Sequence, residues 1–273
     1  MANDMPPEQR AEEWSAVADA YDAAFRPFTA CYAADALDQA DLGAGARVLD
    51  VAAGSGALAL LAAARGHVVT ATDFAPAMIA RLSANAAAAG LADRIAAQVM
   101  DGQALALPDG EFEAVFSIFG LIFFPRPDQG LREMRRILRP GGCAALATWT
   151  APERHGPSQI FTRAIRAVLP DAPSPAPPPW WRFGEETYLR TAFQDAGLTP
   201  ASVTRAVHAL QVPSAEWLVT NGFANPIARQ MEERLGSAVT EVVRQTMLAQ
   251  LRADHGDDPF ALSAEALIAV GVA

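Results

Sequence analysis

Val48–Ala63 reads VLDVAAGSGALALLAA, and its three parts decide the fold. Val48, Leu49 and Val51 form a short apolar run with one acid, Asp50, inside it. Ala52-Ala53-Gly54-Ser55-Gly56 follows as a tight turn of small side chains, and Ala57–Ala64 is a run of alanine and leucine, both strong helix formers. The pattern predicts strand, turn and helix. Small residues in such a turn let a ligand approach the backbone closer than a Cβ would permit. The helix N-terminus also offers unpaired N–H groups to an anionic group such as a carboxylate.

A nucleotide-type pocket is therefore expected. The dinucleotide fingerprint Gly-x-Gly-x-x-Gly needs a third glycine that packs helix against strand. Position 59 is alanine, and the pattern present is Asp50-x-Ala52-x-Gly54-x-Gly56. This arrangement resembles motif I of the class I S-adenosylmethionine (SAM) methyltransferases, in the variant with alanine at its first small position. A glycine turn between strand and helix also occurs in other α/β proteins, so the downstream companions matter.

Gly66 stops the helix, and His67–Thr72 is a β-branched second strand ending at Asp73. That acid lies about 20 residues past the glycine turn, where nucleotide-binding α/β folds place a ribose-binding carboxylate. Asp73 either accepts two charge-assisted hydrogen bonds from a ribose diol or caps the helix beginning near Pro76. Phe74 beside it joins the expected cofactor contacts. Ile95–Met100 reads as a third strand, closed by Asp101-Gly102-Gln103. In the resembled family the acid at this place accepts from the adenine amino group and the next backbone N–H groups read the ring. Asp101, Gly102 and Gln103 match those positions. Ser117 ends a fourth strand, Ala114–Ser117, and is also expected at the cofactor. Leu138-Arg139-Pro140-Gly141-Gly142 before a fifth strand, Cys143–Trp149, completes the resemblance, which covers about residues 10–150.

Residues 8–25 repeat Trp14, Val17, Ala18, Tyr21 and Phe25 at helical spacing, which by itself implies a core face. The run also resembles the N-terminal lid helix of the ubiquinone/menaquinone-biosynthesis type of methyltransferase, where the tyrosine matching Tyr21 covers the cofactor's amino-acid end. Pro27 breaks this helix and Phe28–Leu42 makes the next. Ser117–Phe124, SIFGLIFF, follows a strand's C-terminal end and should border the pocket. Phe119, Phe123, Phe124, Trp149, Trp180, Trp181 and Phe183 are candidates for a dry aromatic lining of the acceptor site, each of them also a plausible core residue. Trp180 and Trp181 close the proline-rich stretch Pro170–Pro179, expected to be a semi-rigid loop capping the site. His155, in the loop beyond the fifth strand, is the candidate general base, with a surface loop histidine as the alternative. Ser202–Val212 and Leu267–Val272 read as strands flanking helices, a unit that resembles the family's antiparallel edge hairpin with helices inserted into it.

Totals bound the rest. The chain has 273 residues, 51% of them hydrophobic, enough for one large domain. Mean hydropathy is +0.12, and no apolar run approaches the ~18 residues of a membrane span. Net charge is −10 and every basic side chain among the 21 is arginine, which disfavours a nucleic-acid partner. Cys31 and Cys143 have no metal-like spacing, so neither a zinc site nor a disulfide framework is expected. The opening Met1-Ala-Asn-Asp has no signal-peptide pattern, which makes a cytoplasmic location the expectation. The expected fold is α/β: a Rossmann-like class I methyltransferase sheet, mostly parallel with one antiparallel strand near the edge. A single domain, 1–273, is expected to divide into lid helices (1–45), SAM-binding core (46–150), cap loop (151–184) and C-terminal strands with inserted helices (185–273). The resemblance implies methyl transfer from SAM to a small aromatic or apolar acceptor, leaving S-adenosylhomocysteine. A catalytically silent SAM-binding partner protein is the alternative.

Overall fold

Seven strands build one sheet, in the order β3-β2-β1-β4-β5-β7-β6. They are β1 (Arg47–Val51), β2 (Val68–Asp73), β3 (Ile95–Val99), β4 (Phe112–Ile118), β5 (Leu138–Trp149), β6 (Thr199–Val212) and β7 (Phe260–Val272). The computed structural model describes residues 5–172, 178–223 and 225–273, so Met1–Asp4 and Pro173–Pro177 of the proline-rich stretch lie outside the described residues. β1 to β5 run parallel, and only β7 runs against its neighbours, pairing antiparallel with both β5 and β6. The expected sheet is the observed one.

The central strands are apolar on both faces because both faces are covered. Alternate residues go to opposite sides. Val48, Ala114, Phe116 and Ala145 enter one core with Leu58, Ala62 and Val243, while Leu49, Val51, Val115 and Leu146 enter the other with Leu131 and Phe193. The first face carries α1 (Ala11–Ala24), α2 (Arg26–Ala40), α3 (Ala57–Ala64) and α4 (Pro76–Ala88), the second α5 (Pro127–Ile137) and, further along, α7 (Glu186–Asp195). In α5, Leu131, Met134 and Ile137 are buried, and the arginines between them face outward to pair with Asp128, Glu133 and Asp109.

Several boundaries differ from the expectation, two of them by five residues or more. β5 begins at Leu138, not Cys143, because Arg139–Gly142 forms a bulge inside the strand: Phe112 pairs with Leu138, and the register then shifts so that Ala114 pairs with Cys143. Gly141 takes a φ of +76° there, and its N–H donates to the Ala273 carbonyl. β7 begins at Phe260 rather than Leu267, since its first half pairs with β6 alone. Between β6 and β7 are inserted α8 (Ala215–Gly222), α9 (Pro226–Leu235) and α10 (Ser237–His255). Ser214 and Asn225 cap α8 and α9 through their side chains, as their sequence positions predict. Together with α6 (Gly156–Val168), these helices roof the C-terminal edge of the sheet.

Candidate active site

Strand order reverses at β1, so the loops after β1 and β4 diverge and leave a crevice at the C-terminal edge. The turn after β1 holds three left-handed residues: Ala52 (φ +56°), Gly54 (+54°) and Gly56 (+99°). Only glycine adopts such angles without cost, so Ala52 carries strain of about 1 kcal/mol. Ala52→Gly is expected to raise stability by about that amount, a Tm increase of about 2–4 °C in thermal unfolding.

Asp73 braces this turn from β2. Its Oδ2 accepts from the Gly54 N–H at 2.9 Å and its Oδ1 from the Ala75 N–H at 2.9 Å. A carboxylate has about four lone-pair sites, so two remain for a ligand. The group is buried, and that burial pushes its pKa up to about 6 despite donation from backbone N–H groups. Asp73 thus closes the turn that leads into α4, without capping the helix itself, and borders the open space beside it.

That space is a cavity of about 1270 Å³. At one end lie Ala52, Gly54, Asp73, Phe74, Asp101, Gly102 and Gln103, brought together from three strand ends. A Cβ on Gly54 would meet nothing nearer than Tyr21 Cε1 at 3.9 Å, so glycine leaves the cradle free. Asp101 Oδ1 accepts from the Gln103 backbone N–H at 2.9 Å, which shapes the loop, and Gln103 Oε1 in turn accepts from the Arg126 N–H at 2.8 Å. Gly102 is required by closeness: a Cβ there would sit 2.5 Å from Phe124 Cζ and 2.7 Å from Val51 Cγ1. Tyr21 packs edge-on against Trp14 at 5.8 Å and borders the cavity beside Gly54, and burial pushes its pKa up to about 12.

Three residues expected at the cofactor do not border this cavity. Ser117 is buried and its Oγ accepts from the Leu121 N–H at 3.0 Å, closing the turn after β4; the next residue, Ile118, faces the cavity instead. Gly56 works as the entry to α3, where a Cβ would lie 3.0 Å from Leu82 Cγ, so it serves the close packing of this turn against α4. Asp50 accepts from the Ala59 N–H at 3.1 Å and reaches only a void of about 30 Å³ beneath the turn. Burial pushes its pKa up to about 8. A void of that size holds a water, not a nucleoside.

The far end of the cavity is aromatic. Phe119, Phe123, Trp149, Trp180 and Trp181 all line it, as expected, and so does Phe124. Trp149 stacks on Phe119 at 3.7 Å and on Phe28 at 5.9 Å, while Trp180 meets Phe123 at 5.6 Å and Trp181 at 4.5 Å. Phe183 is different: it is buried against Tyr188 in the second core and lines nothing. Thr29 and Ile118, which also border the cavity, carry no sequence signal beyond their neighbours.

His155 lines the cavity but is already employed. Its Nδ1 accepts from the Ser158 N–H at 3.1 Å, capping α6, which leaves the proton on Nε2. Burial lowers its pKa to about 4, far from the range of a working base. The base expectation therefore gives way to a helix cap that presents a donor. His155→Ala is expected to cost about 1 kcal/mol of stability at pH 7, and His155→Asn, another good cap, much less. The folded ring binds its proton more weakly than the unfolded one, so the wild-type advantage shrinks as pH falls from 6.5 towards 4. Thermal unfolding of the three proteins across that range checks the sign.

Residues 48–142 match the family model of the methyltransferase domain. They are a methyltransferase domain of the class I fold. The cofactor of such domains is S-adenosylmethionine, and the open Gly54 cradle and the spare lone pairs of Asp73 fit its adenosine half. The chain is 40% identical over 151 residues to an uncharacterised protein of Mycobacterium tuberculosis, covering 55% of this chain and 53% of that one. It is 36% identical over 126 residues to a demethylmenaquinone methyltransferase of Thermus thermophilus, covering 45% of this chain and 56% of that one. The chain thus spans about half the length of the curated relatives it matches. The YcgJ protein of Bacillus subtilis has the same fold, with a TM-score of 0.55, 19% identity and coverage of 88% of this chain and 97% of that one. Among the described residues no helix of this methyltransferase fold is long and apolar enough to cross a membrane.

Proposed function

We propose that this protein transfers a methyl group from S-adenosylmethionine to a small aromatic or apolar acceptor, a quinone precursor or a secondary metabolite, in the cytoplasm. One observation carries the reading: the nucleoside cradle and the aromatic wall are two ends of a single cavity. In this reading the whole chain, 1–273, acts as one domain, with 1–45 as lid, 46–150 as cofactor core, 151–184 as cap and 185–273 as the remaining wall. Kinship with the Thermus demethylmenaquinone methyltransferase supports an aromatic ring as acceptor.

The bound cofactor supplies an electrophilic methyl on a sulfonium, attacked in line. Asp73 would hold the ribose diol, Asp101 the adenine amino group, and the backbone N–H groups of the Ala52–Gly56 turn the carboxylate. Tyr21 lies over the turn and shuts out water. Because positive charge disappears as the methyl moves, an anionic wall at the methyl would favour the ground state. The aromatic part of the far wall, Phe119, Phe123, Trp149, Trp180 and Trp181, carries no charge, which suits both the sulfonium and a flat acceptor. Holding the two reactants in line can supply up to about 7–11 kcal/mol of the barrier. With His155 spent on α6, the chain offers positioning in place of a dedicated base. A net charge of −10 stands against nucleic acid as acceptor.

The test is isothermal titration with S-adenosylmethionine, followed by incubation with extracted metabolites and mass spectrometry for products gaining one methyl. Binding with turnover is expected. Binding without any methylated product across such pools would favour the silent-partner reading, and no binding would overturn both.

A further inference from the structure

The acceptor end of the cavity is walled by one face each of α6 and α9. On α6 the cavity-facing stripe is Phe161, Ile165 and Leu169, spaced by four, with Arg166 beside Ile165 on the same stripe. On α9 it is Ile227 and Met231, followed by Arg234. Arg166 and Arg234, both exposed, border the cavity at its rim, beside Thr162 on α6 and Gln230 on α9 as well as the apolar residues.

The outward arginines of the same helices behave differently. Arg163 of α6 is paired with Asp254 at 2.5 Å and bonds Gln250 at 3.0 Å, and Arg229 of α9 lies 3.8 Å from Glu232. Among the described residues, neither Arg166 nor Arg234 has a carboxylate within ion-pair distance, although both face the cavity. The acid whose charge Arg234 feels is Glu8, which is itself buried, bonded at Oε1 by Gln230 at 3.3 Å, and raised in pKa by that burial. The carboxylates that serve the nucleoside, Asp73 and Asp101, come from the strand ends at the other end of the same cavity. A guanidinium at the mouth of such a cavity can grip a planar or tetrahedral oxyanion through parallel N–H donors.

We propose that Arg166 and Arg234 recognise an acid group, a carboxylate or a phosphate, on a methyl acceptor whose apolar body lies against Trp180, Trp181, Phe161 and Ile165. This rests on the methyl-transfer reading above and narrows it: the acceptor is an aromatic or apolar acid, not a neutral ring alone. The two arginines act as specificity determinants. They sit on the roof helices and touch no part of the nucleoside cradle.

The experiment uses three probes with one aromatic body: naphthoate, naphthyl phosphate and the neutral naphthamide. Each is titrated calorimetrically into full-length protein saturated with S-adenosylhomocysteine. The wild type is expected to bind one of the two acids at least about tenfold more tightly than the amide, the stronger acid naming the head group. Arg166→Gln and Arg234→Gln should each lose most of that preference, and the double variant all of it, with amide affinity unchanged. Arg166→Lys/Arg234→Lys should retain part of it, since charge stays while the fork geometry goes. Equal binding of all three probes by the wild type, or an acid preference that survives in the double glutamine variant, overturns the proposal. S-adenosylhomocysteine affinity, measured in the same samples, separates the two readings. If it binds and no acid preference exists, only the acid-acceptor inference falls; if it does not bind, the methyl-transfer reading falls first.

Discussion

Asp73→Asn is expected to weaken S-adenosylmethionine binding by about 100-fold, measured by calorimetry at pH 7.5. The carboxylate serves two backbone donors, Gly54 N–H and Ala75 N–H, and keeps two lone pairs for the ribose. Asparagine has one acceptor oxygen and turns an NH2 group towards a donor, so the turn or the ribose loses its partner. Each charge-assisted bond is worth about 1.5–3 kcal/mol, and losing the equivalent of one to two gives the stated factor. The effect has a pH signature. With its pKa raised by burial to about 6, Asp73 is ionised above that value and takes a proton below it. Wild-type affinity should be flat from pH 7 to 8 and fall about tenfold per unit below pH 6, whereas the asparagine variant should show no such slope. Stability of the free protein runs the other way. The folded carboxyl binds its proton more tightly than the unfolded one, whose ordinary value is 3.8, so the Asp73 contribution falls as pH rises from about 4 to 6. The cofactor restores it. A wild-type affinity that stays constant down to pH 5 would refute the ribose role.

Gly120→Ala is expected to cost about 1–3 kcal/mol of stability and to weaken cofactor binding with it. Gly120 opens the loop after β4, and a Cβ built there would fall inside contact distance of Ala52 Cβ and 3.1 Å from the Ala52 carbonyl. The strained turn and this loop therefore share one space, in which only one β-carbon fits. Alanine is tolerated at position 52 because its neighbour across the crevice is glycine. The double variant Ala52→Gly/Gly120→Ala should recover at least half of the loss, a coupling of about 1 kcal/mol or more in a double-mutant cycle. Additive single effects would show that the two loops do not meet. Urea unfolding reports the stability term, and calorimetry with S-adenosylmethionine the binding term.

The cofactor half of the site was legible in the chain because its signals are local. Glycines 54 and 56 answer a backbone demand that arises within one strand-turn-helix unit, and Asp73 and Asp101 each end a strand whose apolar run can be read directly. The mostly parallel sheet and a reversed strand near its edge were implied by the resemblance to the class I methyltransferases, and the sheet has both. Elsewhere a residue's type was right and its direction was not. Ser117 and Ile118 are adjacent on β4, and their opposite faces depend on a register set by β1 and β5. His155 has the chemistry of a base, but the N-terminus of α6 takes its free lone pair. Phe183 and Trp181 lie two residues apart, and one is core while the other lines the cavity.

The strand and helix runs and the glycine turn were legible in the chain itself, from short-range backbone geometry and apolar periodicity, while the parallel sheet with one reversed strand was implied by the resemblance to the class I methyltransferases. Only the tertiary structure decided which way the roof looks. α6, α8 and α9 contribute their walls from segments far apart in sequence, and whether Arg166 and Arg234 meet water or the cavity depends on how those helices pack across the strand ends. Helical periodicity names a face but not the partner it turns towards. That choice belongs to long-range packing.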